Sequence, residues 1–362
     1  MDNIIGGEID ISLDSFNSNE NYSFYDRLLF YDSGRTALSV VLSNNYISNH
    51  KFLLPIYSCE SIIKPFKELN VHFDYYDINL NLDLDLEIIQ TRMHQEEFTA
   101  ILIIDYFGFT FDKNVISKLK NFGLFVIEDI SHLSVIPLLF NKYKSLSDII
   151  FGSLRKNLPV ADGGFIVKNS NFSFQQIEPE YTLHSMFKLS SKILRGIYSE
   201  SNIRNDDFEE TYLKLSAKAE HLLDLSDSNL KGMSNWSLNL LKRLDLLKIY
   251  EKRRLNFKML LILFIDNELI DIPLINKDID SHPEYMPYLF PIMVNKKNKL
   301  IRETLKSNSI YTSIIWESFD KKRIENYPNS KYISENILCL PVDDRYGSSD
   351  MMFLFKKIRS LL

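Results

Sequence analysis

Cysteine is scarce and long apolar runs are missing. The 362 residues contain two cysteines, Cys59 and Cys339. That is too few for a disulfide framework or a cysteine-held zinc site, which predicts a reducing compartment, the cytoplasm. The opening residues Met1-Asp2-Asn3-Ile4-Ile5-Gly6-Gly7-Glu8 lack the basic and apolar regions of a signal peptide. The most apolar stretch, residues 259–265, falls short of the roughly 20 apolar residues that span a bilayer, so no membrane partner is expected. A formal net charge of -6 argues against a nucleic-acid surface, which needs clustered Lys and Arg to displace counterions. The lysine runs at 296–299 and 321–323 read as solvated helix ends. The histidines at 50, 72, 94, 184, 221 and 282 show no paired spacing, and no metal site is expected. Dinucleotide, P-loop, zincin and hydrolase signatures are all absent.

What is present reads as an α/β protein. With 45% hydrophobic and 25% charged residues, the chain can bury one large core and a smaller one. Between 31 and 165, short apolar runs alternate with amphipathic segments. Strands are expected at 53–54, 71–76, 100–106, 124–128, 149–152 and 164–167, most of them continuous apolar runs suited to a sheet buried on both faces. Residues 114–121 place Val115, Ile116 and Leu119 opposite Lys118 and Lys120, the period of a helix. Residues 169–229 are polar and helix-prone. Residues 237–264 read as one long amphipathic helix lined by Leu240, Leu241, Leu244, Leu247 and Ile249. Beyond 271, strands are expected at 289–294 and 311–316, with helices at 298–307 and 349–361. This organisation predicts a large domain over 1–236, then a linking helix and a smaller C-terminal α/β domain over 237–362.

Three segments carry chemistry. Ser33-Gly34-Arg35-Thr36-Ala37-Leu38 opens a helix, where free amides and the helix dipole favour a phosphate; taken alone the pattern is better accounted for by a plain helix cap, and it becomes specific only with the rest of the chain. Asp129 ends the strand 124–128 at the carboxyl edge of the sheet, where ligands bind in open α/β folds. Glu128 alternates to the other face, and His132 follows one turn on. Lys156 lies on a loop that leads to Gly163-Gly164 and another apolar strand. A lysine there, beside Arg155, has its charged form disfavoured and can act as nucleophile and base. An acid, a lysine and a glycine pair in that order point to pyridoxal phosphate: the carboxylate pairs with the pyridinium nitrogen and the lysine forms a Schiff base with the aldehyde.

Together these segments resemble the DegT-type sugar aminotransferases, fold type I enzymes of the aspartate aminotransferase superfamily. The family's Ser-Gly-Thr-x-Ala-Leu loop is similar to residues 33–38, and its Pro-x-Tyr-x-x segment to Pro55-Ile56-Tyr57-Ser58-Cys59. Its His-x-x-Gly segment is similar to Asp105-Tyr106-Phe107-Gly108. Its Glu-Asp-x-x-His match falls on Glu128, Asp129 and His132, and its Lys-Asn-Leu…Glu-Gly-Gly match on Lys156-Asn157-Leu158 and Asp162-Gly163-Gly164. Leu338-Cys339-Leu340-Pro341 resembles the terminal Leu-Pro strand.

The resemblance implies a large domain with a mixed, mostly parallel sheet and a pyridoxal 5'-phosphate cofactor. It implies Lys156 and Asp129 as catalytic residues, with Ser33, Gly34, Arg35, Thr36, Cys59, His132 and Ser153 completing the cofactor site. It further implies transfer of an amino group, from glutamate, to a nucleotide-linked keto sugar in surface-polysaccharide or secondary-metabolite synthesis, by a homodimer. Three departures stand out. Cys59 replaces the aromatic that stacks on the cofactor, Arg35 replaces a threonine, and residues 232–237 stand where a segment reaching the partner's cofactor is expected. A sugar dehydratase of the same fold, and a cofactor-less sugar-nucleotide-binding relative, are the alternative expectations.

Overall fold

A computed structural model describes residues 4–12, 16, 23–200, 206–225, 230–295, 297–317 and 320–362. Seven strands form the main sheet: β1 (Leu28–Tyr31), β2 (Phe52–Pro55), β3 (Phe73–Tyr76), β4 (Ala100–Ile104), β5 (Phe125–Asp129), β6 (Ile149–Ser153) and β7 (Gly164–Val167). Their spatial order is β1-β7-β6-β5-β4-β2-β3. Only β7 runs against its neighbours; the β2–β3, β2–β4, β4–β5 and β5–β6 pairs are parallel. Every residue of β2, β4 and β5 is buried, which explains their continuous apolar sequence.

Helices cover both faces. Helix α1 (Gly34–Leu42) follows β1, capped by Ser33, whose hydroxyl accepts the Thr36 amide at 3.1 Å. Two long helices, α2 (Leu183–Glu200) and α3 (Asp206–Leu225), pack on each other in the polar stretch after the sheet.

The linking helix differs from expectation. Residues 235–241 form one helix and α4 (Leu246–Phe264) the next, with a break between them. Asp245 restarts the chain by accepting the Lys248 amide at 2.9 Å, a cap that the leucine period conceals. After α4 come β8 (Leu289–Met293) and β9 (Ile337–Pro341), an antiparallel pair, with helices at Asn298–Lys306, Pro328–Asn336 and Ser348–Arg359. The expected strand at 311–316 shrinks to Ile310–Tyr311, which pairs in parallel with Ile5–Gly6. The segment beyond it is spent on placing Trp316. One buried apolar cluster joins β2, β4 and β5 to β8 and β9. No helix among the described residues is long and apolar enough to cross a membrane.

Candidate active site

The parallel strands end at a cavity of about 310 Å³. Ser33, Gly34 and Arg35 enter it from the start of α1, Cys59 from the turn after β2, Asp129 from the end of β5, and Ser153 and Lys156 from β6 and the turn beyond it. The fold thus brings these sequence-distant residues together. Thr36 and His132 do not line this cavity. The Thr36 hydroxyl turns back to donate to Asp32 at 2.5 Å. The His132 ring stacks between Tyr288, at 4.7 Å between centroids, and Trp316, at 5.2 Å. Its Nδ1 accepts the Phe107 amide at 3.2 Å. Burial first, then the charge of Lys156, hold the His132 imidazole well below its ordinary pKa, so the ring is neutral.

Asp129 is buried and accepts the Ser131 amide at 2.8 Å. Burial raises its pKa, and Lys156 together with Ser131 opposes the rise. A buried carboxylate so placed gains from a cation that donates a hydrogen bond to it. Glu128 points to the opposite face, where Tyr143 donates to it at 2.5 Å. The Lys156 ammonium lies 5.4 Å from the centroid of Trp316. A Cβ on Gly164 would come within 2.0 Å of the Ser33 carbonyl oxygen, and one on Gly34 within 3.2 Å of the Ser153 Cβ. Bare glycine therefore lets β7 pass beneath the amides that open α1, leaving a cup for an anion.

These residues fit pyridoxal phosphate. The amides of Gly34 and Arg35 with the Ser33 and Ser153 hydroxyls would hold the phosphate, Asp129 the ring nitrogen and Lys156 the aldehyde carbon. When bound, the cofactor supplies an electrophilic carbon for an amine and a ring that accepts an electron pair.

Other walls of the cavity carry no motif. Glu220, Leu223 and Asp224 reach it from α3. Their i, i+3, i+4 spacing puts them on one helix face, the one sequence signal that could have grouped them. Arg35 donates to the Leu223 carbonyl at 3.0 Å and to Asp224 at 2.8 Å, so it fastens the end of α3 over the cup. Arg155 bonds both Glu220 oxygens, at 3.2 and 3.3 Å. Burial alone would raise the Glu220 carboxyl, but Arg155 and Lys188 outweigh it and hold it well below the carboxylate range. Tyr57 does not face the cavity: it packs on Tyr106 and Trp316, and its hydroxyl donates to the Ile315 carbonyl. Residues 232–237 fold onto their own chain, where Ser234 donates to Asp162 through its amide (2.9 Å) and hydroxyl (2.7 Å).

No protein-family model and no curated protein matches the sequence. Solved structures do. Spr1654 from Streptococcus pneumoniae, assigned as a sugar aminotransferase and solved in its PLP form, superposes with a TM-score of 0.66 over 98% of this chain and 98% of its own, at 13% identity. The sugar aminotransferase CalS13 from Micromonospora echinospora gives 0.61 over 92% and 87%, at 13% identity. DesI, solved in the presence of its TDP-sugar product, gives 0.61 over 96% and 86%, also at 13% identity. The chain therefore has the α/β fold of the pyridoxal-phosphate-dependent sugar aminotransferases, fold type I.

Proposed function

We propose that this chain is a pyridoxal-phosphate-dependent aminotransferase that moves an amino group from an amino acid, glutamate, to a nucleotide-linked keto sugar. One observation carries the reading: Asp129, Lys156 and the Ser33–Arg35 helix opening line a single cavity. The fold and the TDP-sugar seen with a structural neighbour support the substrate class. In this reading Lys156, as a neutral amine, would carry a proton from the donor α-carbon to the cofactor carbon beyond the nitrogen that joins them, two atoms along. The neighbouring His132, kept neutral by burial, adds no competing charge. Asp129 holds the ring nitrogen protonated so that the electron pair has somewhere to go. The homodimer is part of the proposal, with residues 169–235 near the interface, as is a place in surface-polysaccharide or secondary-metabolite synthesis in the cytoplasm.

The test is spectral and chemical. The purified protein should show a visible absorbance band that borohydride removes, and should aminate a keto-sugar nucleotide from a small panel only when glutamate is present. A protein that stays colourless after added pyridoxal phosphate is instead the cofactor-less binding relative. Dehydration without glutamate assigns it as the dehydratase. Light scattering at micromolar concentration reads the assembly: a monomeric mass with full activity removes the homodimer.

A further inference from the structure

Arg253 lies on α4 with 1% of its surface exposed. A buried guanidinium ordinarily has a carboxylate bonded to it. Arg253 makes no ion pair among the described residues, and its hydrogen bonds go to backbone carbonyls alone. Its nearest countercharge acts at a distance: burial raises the Asp344 carboxyl and the Arg253 charge opposes the rise. Nη2 donates to the Asn157 carbonyl at 3.2 Å, while Nη1 donates to the Tyr288 carbonyl at 3.1 Å and the Pro287 carbonyl at 3.4 Å. One planar fork therefore bridges the residue after Lys156 and the segment that enters β8.

The bridge closes a ring of contacts. Asn157 is buried as well, and its side-chain amide donates to the carbonyls of Ser131 at 3.0 Å and His132 at 3.1 Å. Ser131 is the residue whose amide donates to the Asp129 carboxylate. The His132 ring stacks on Tyr288, and the Tyr288 amide donates to the Phe107 carbonyl at 2.8 Å while the Phe107 amide reaches back to His132. Lys156 itself sits on a turn beyond β6, where no sheet ladder fixes the backbone. Asn157 ties that turn to the end of β5, and Arg253 ties it to the C-terminal part.

We infer that Arg253 is a positioning residue for Lys156: its fork sets the lysine turn against Asp129 and makes that setting depend on the segment 287–288 being in place. The inference rests on Lys156 being the cofactor lysine, as proposed above, and adds what holds it there. A misplacement of about 1 Å can cost about a hundredfold in rate without touching substrate binding. A single ammonium on the same stem reaches one of the two segments and not both, so charge alone does not replace the fork.

Arg253→Lys keeps the charge near Asp344 and removes the bridge. Its kcat should fall about tenfold or more while KM for glutamate and for the keto-sugar nucleotide stays within about twofold. Pyridoxal phosphate added to its apoprotein should form the borohydride-sensitive band more slowly than on wild type. Asn157→Ala opens the same ring from the other side, so combining it with Arg253→Lys should add little to the larger single loss. Wild-type kcat and band formation in Arg253→Lys, whatever happens to the melting point, overturn the inference and leave Arg253 a structural residue. A raised KM with unchanged kcat overturns it too, and assigns Arg253 to substrate binding. Losses that multiply in the double variant overturn the route through Asn157. If Asn157→Ala does not fold, Arg253→Lys decides alone. A wild-type chain that forms no band with pyridoxal phosphate fails the aminotransferase reading itself, before any variant is made.

Discussion

Asp129 and Lys156 act on each other through the protein before any ligand is considered. The ammonium lowers the cost of keeping the buried carboxylate charged, and the carboxylate is ready for a second cation on the ring. Lys156→Ala should therefore abolish the borohydride-sensitive band and turnover while the unfolding midpoint stays near wild type, because the lysine sits on a turn rather than in the core. An undiminished band would end its assignment. Asp129→Asn should keep the band yet lose activity by about a hundredfold or more, since an amide cannot hold the pyridinium charge. Wild-type turnover in that variant would pass the role to another acid. A different acid pair lies on the far face of β5. Asp105 and Glu128 are both fully buried, and burial raises both pKa values, that of Asp105 further still through the charges of Glu128 and Asp129. A raised folded-state pKa means that stability is full below the ordinary carboxylate range and is lost as pH climbs toward the folded values. Asp105→Asn removes one of the two titrations. Its stability relative to wild type should grow as pH climbs above the ordinary carboxylate range, by up to about 1.4 kcal/mol per pH unit for the one titrating group removed. Denaturant melts above that range measure it, and a flat difference would show that the pair is not protonated together.

At the scale of elements, six of the seven sheet strands were legible, while the edge strand β1 (Leu28–Tyr31) and the linkers were not. A strand packed on both faces needs apolar residues at every position, so Ala100–Ile104 announces itself. The same two-sidedness puts Asp129 at the strand end, where the apolar run stops. The helix break at 242–245 was hidden because Leu240, Leu241, Leu244 and Leu247 keep the helical period across it; the informative residue was Asp245, a cap. Trp316 read as the end of a strand, whereas its ring is used against His132 and Lys156, a tertiary placement that no local pattern encodes. The helix α3 was legible as a helix, but its role over the cavity depends on Arg35 and Arg155, which lie 189 residues from Asp224 and 65 residues from Glu220 in the chain. Gly164 belongs to this scale as well, because it lets β7 cross beneath the opening of α1. Gly164→Ala sets a methyl against the backbone at Ser33, not against a side chain that could move. The variant should lose about 1–3 kcal/mol of stability and bind pyridoxal phosphate more weakly, read by melts and by titration of the visible band. Unchanged cofactor affinity would place the phosphate elsewhere.

Across the whole molecule, a chain of charges ties the N-terminal segment to the candidate catalytic turn. Glu8 meets Lys188 at 2.8 Å and Lys192 at 3.4 Å; Lys188 meets Glu220 at 2.5 Å; and Glu220 meets Arg155, the neighbour of Lys156. Lys188 and Lys192 are almost wholly buried, at 4% and 1% side-chain exposure. Two ammonium groups in that position are tolerable only with their carboxylates in place. Burial pulls Lys192 down to about 8 even with Glu8 beside it. Burial also works against ionised Glu8, but Lys192 and Lys188 prevail and take it from 4.5 to about 2. A depressed acid gives stability that is present above its unfolded pKa and lost as pH falls through the folded one, here between about 4.5 and about 2. Glu8→Gln leaves both lysines with less compensation, and breaking a buried pair from one side costs about 3 kcal/mol or more. The loss should be largest near neutrality and shrink as pH drops through that window, where wild type loses the same contact. Because the far end of the network holds α3 over the cavity through Arg155, the variant should also bind pyridoxal phosphate more weakly at pH 7. Chemical denaturation against pH, with a cofactor titration alongside, separates the two effects. If stability falls but cofactor affinity does not, the network anchors the N-terminal segment without setting the position of the lysine turn.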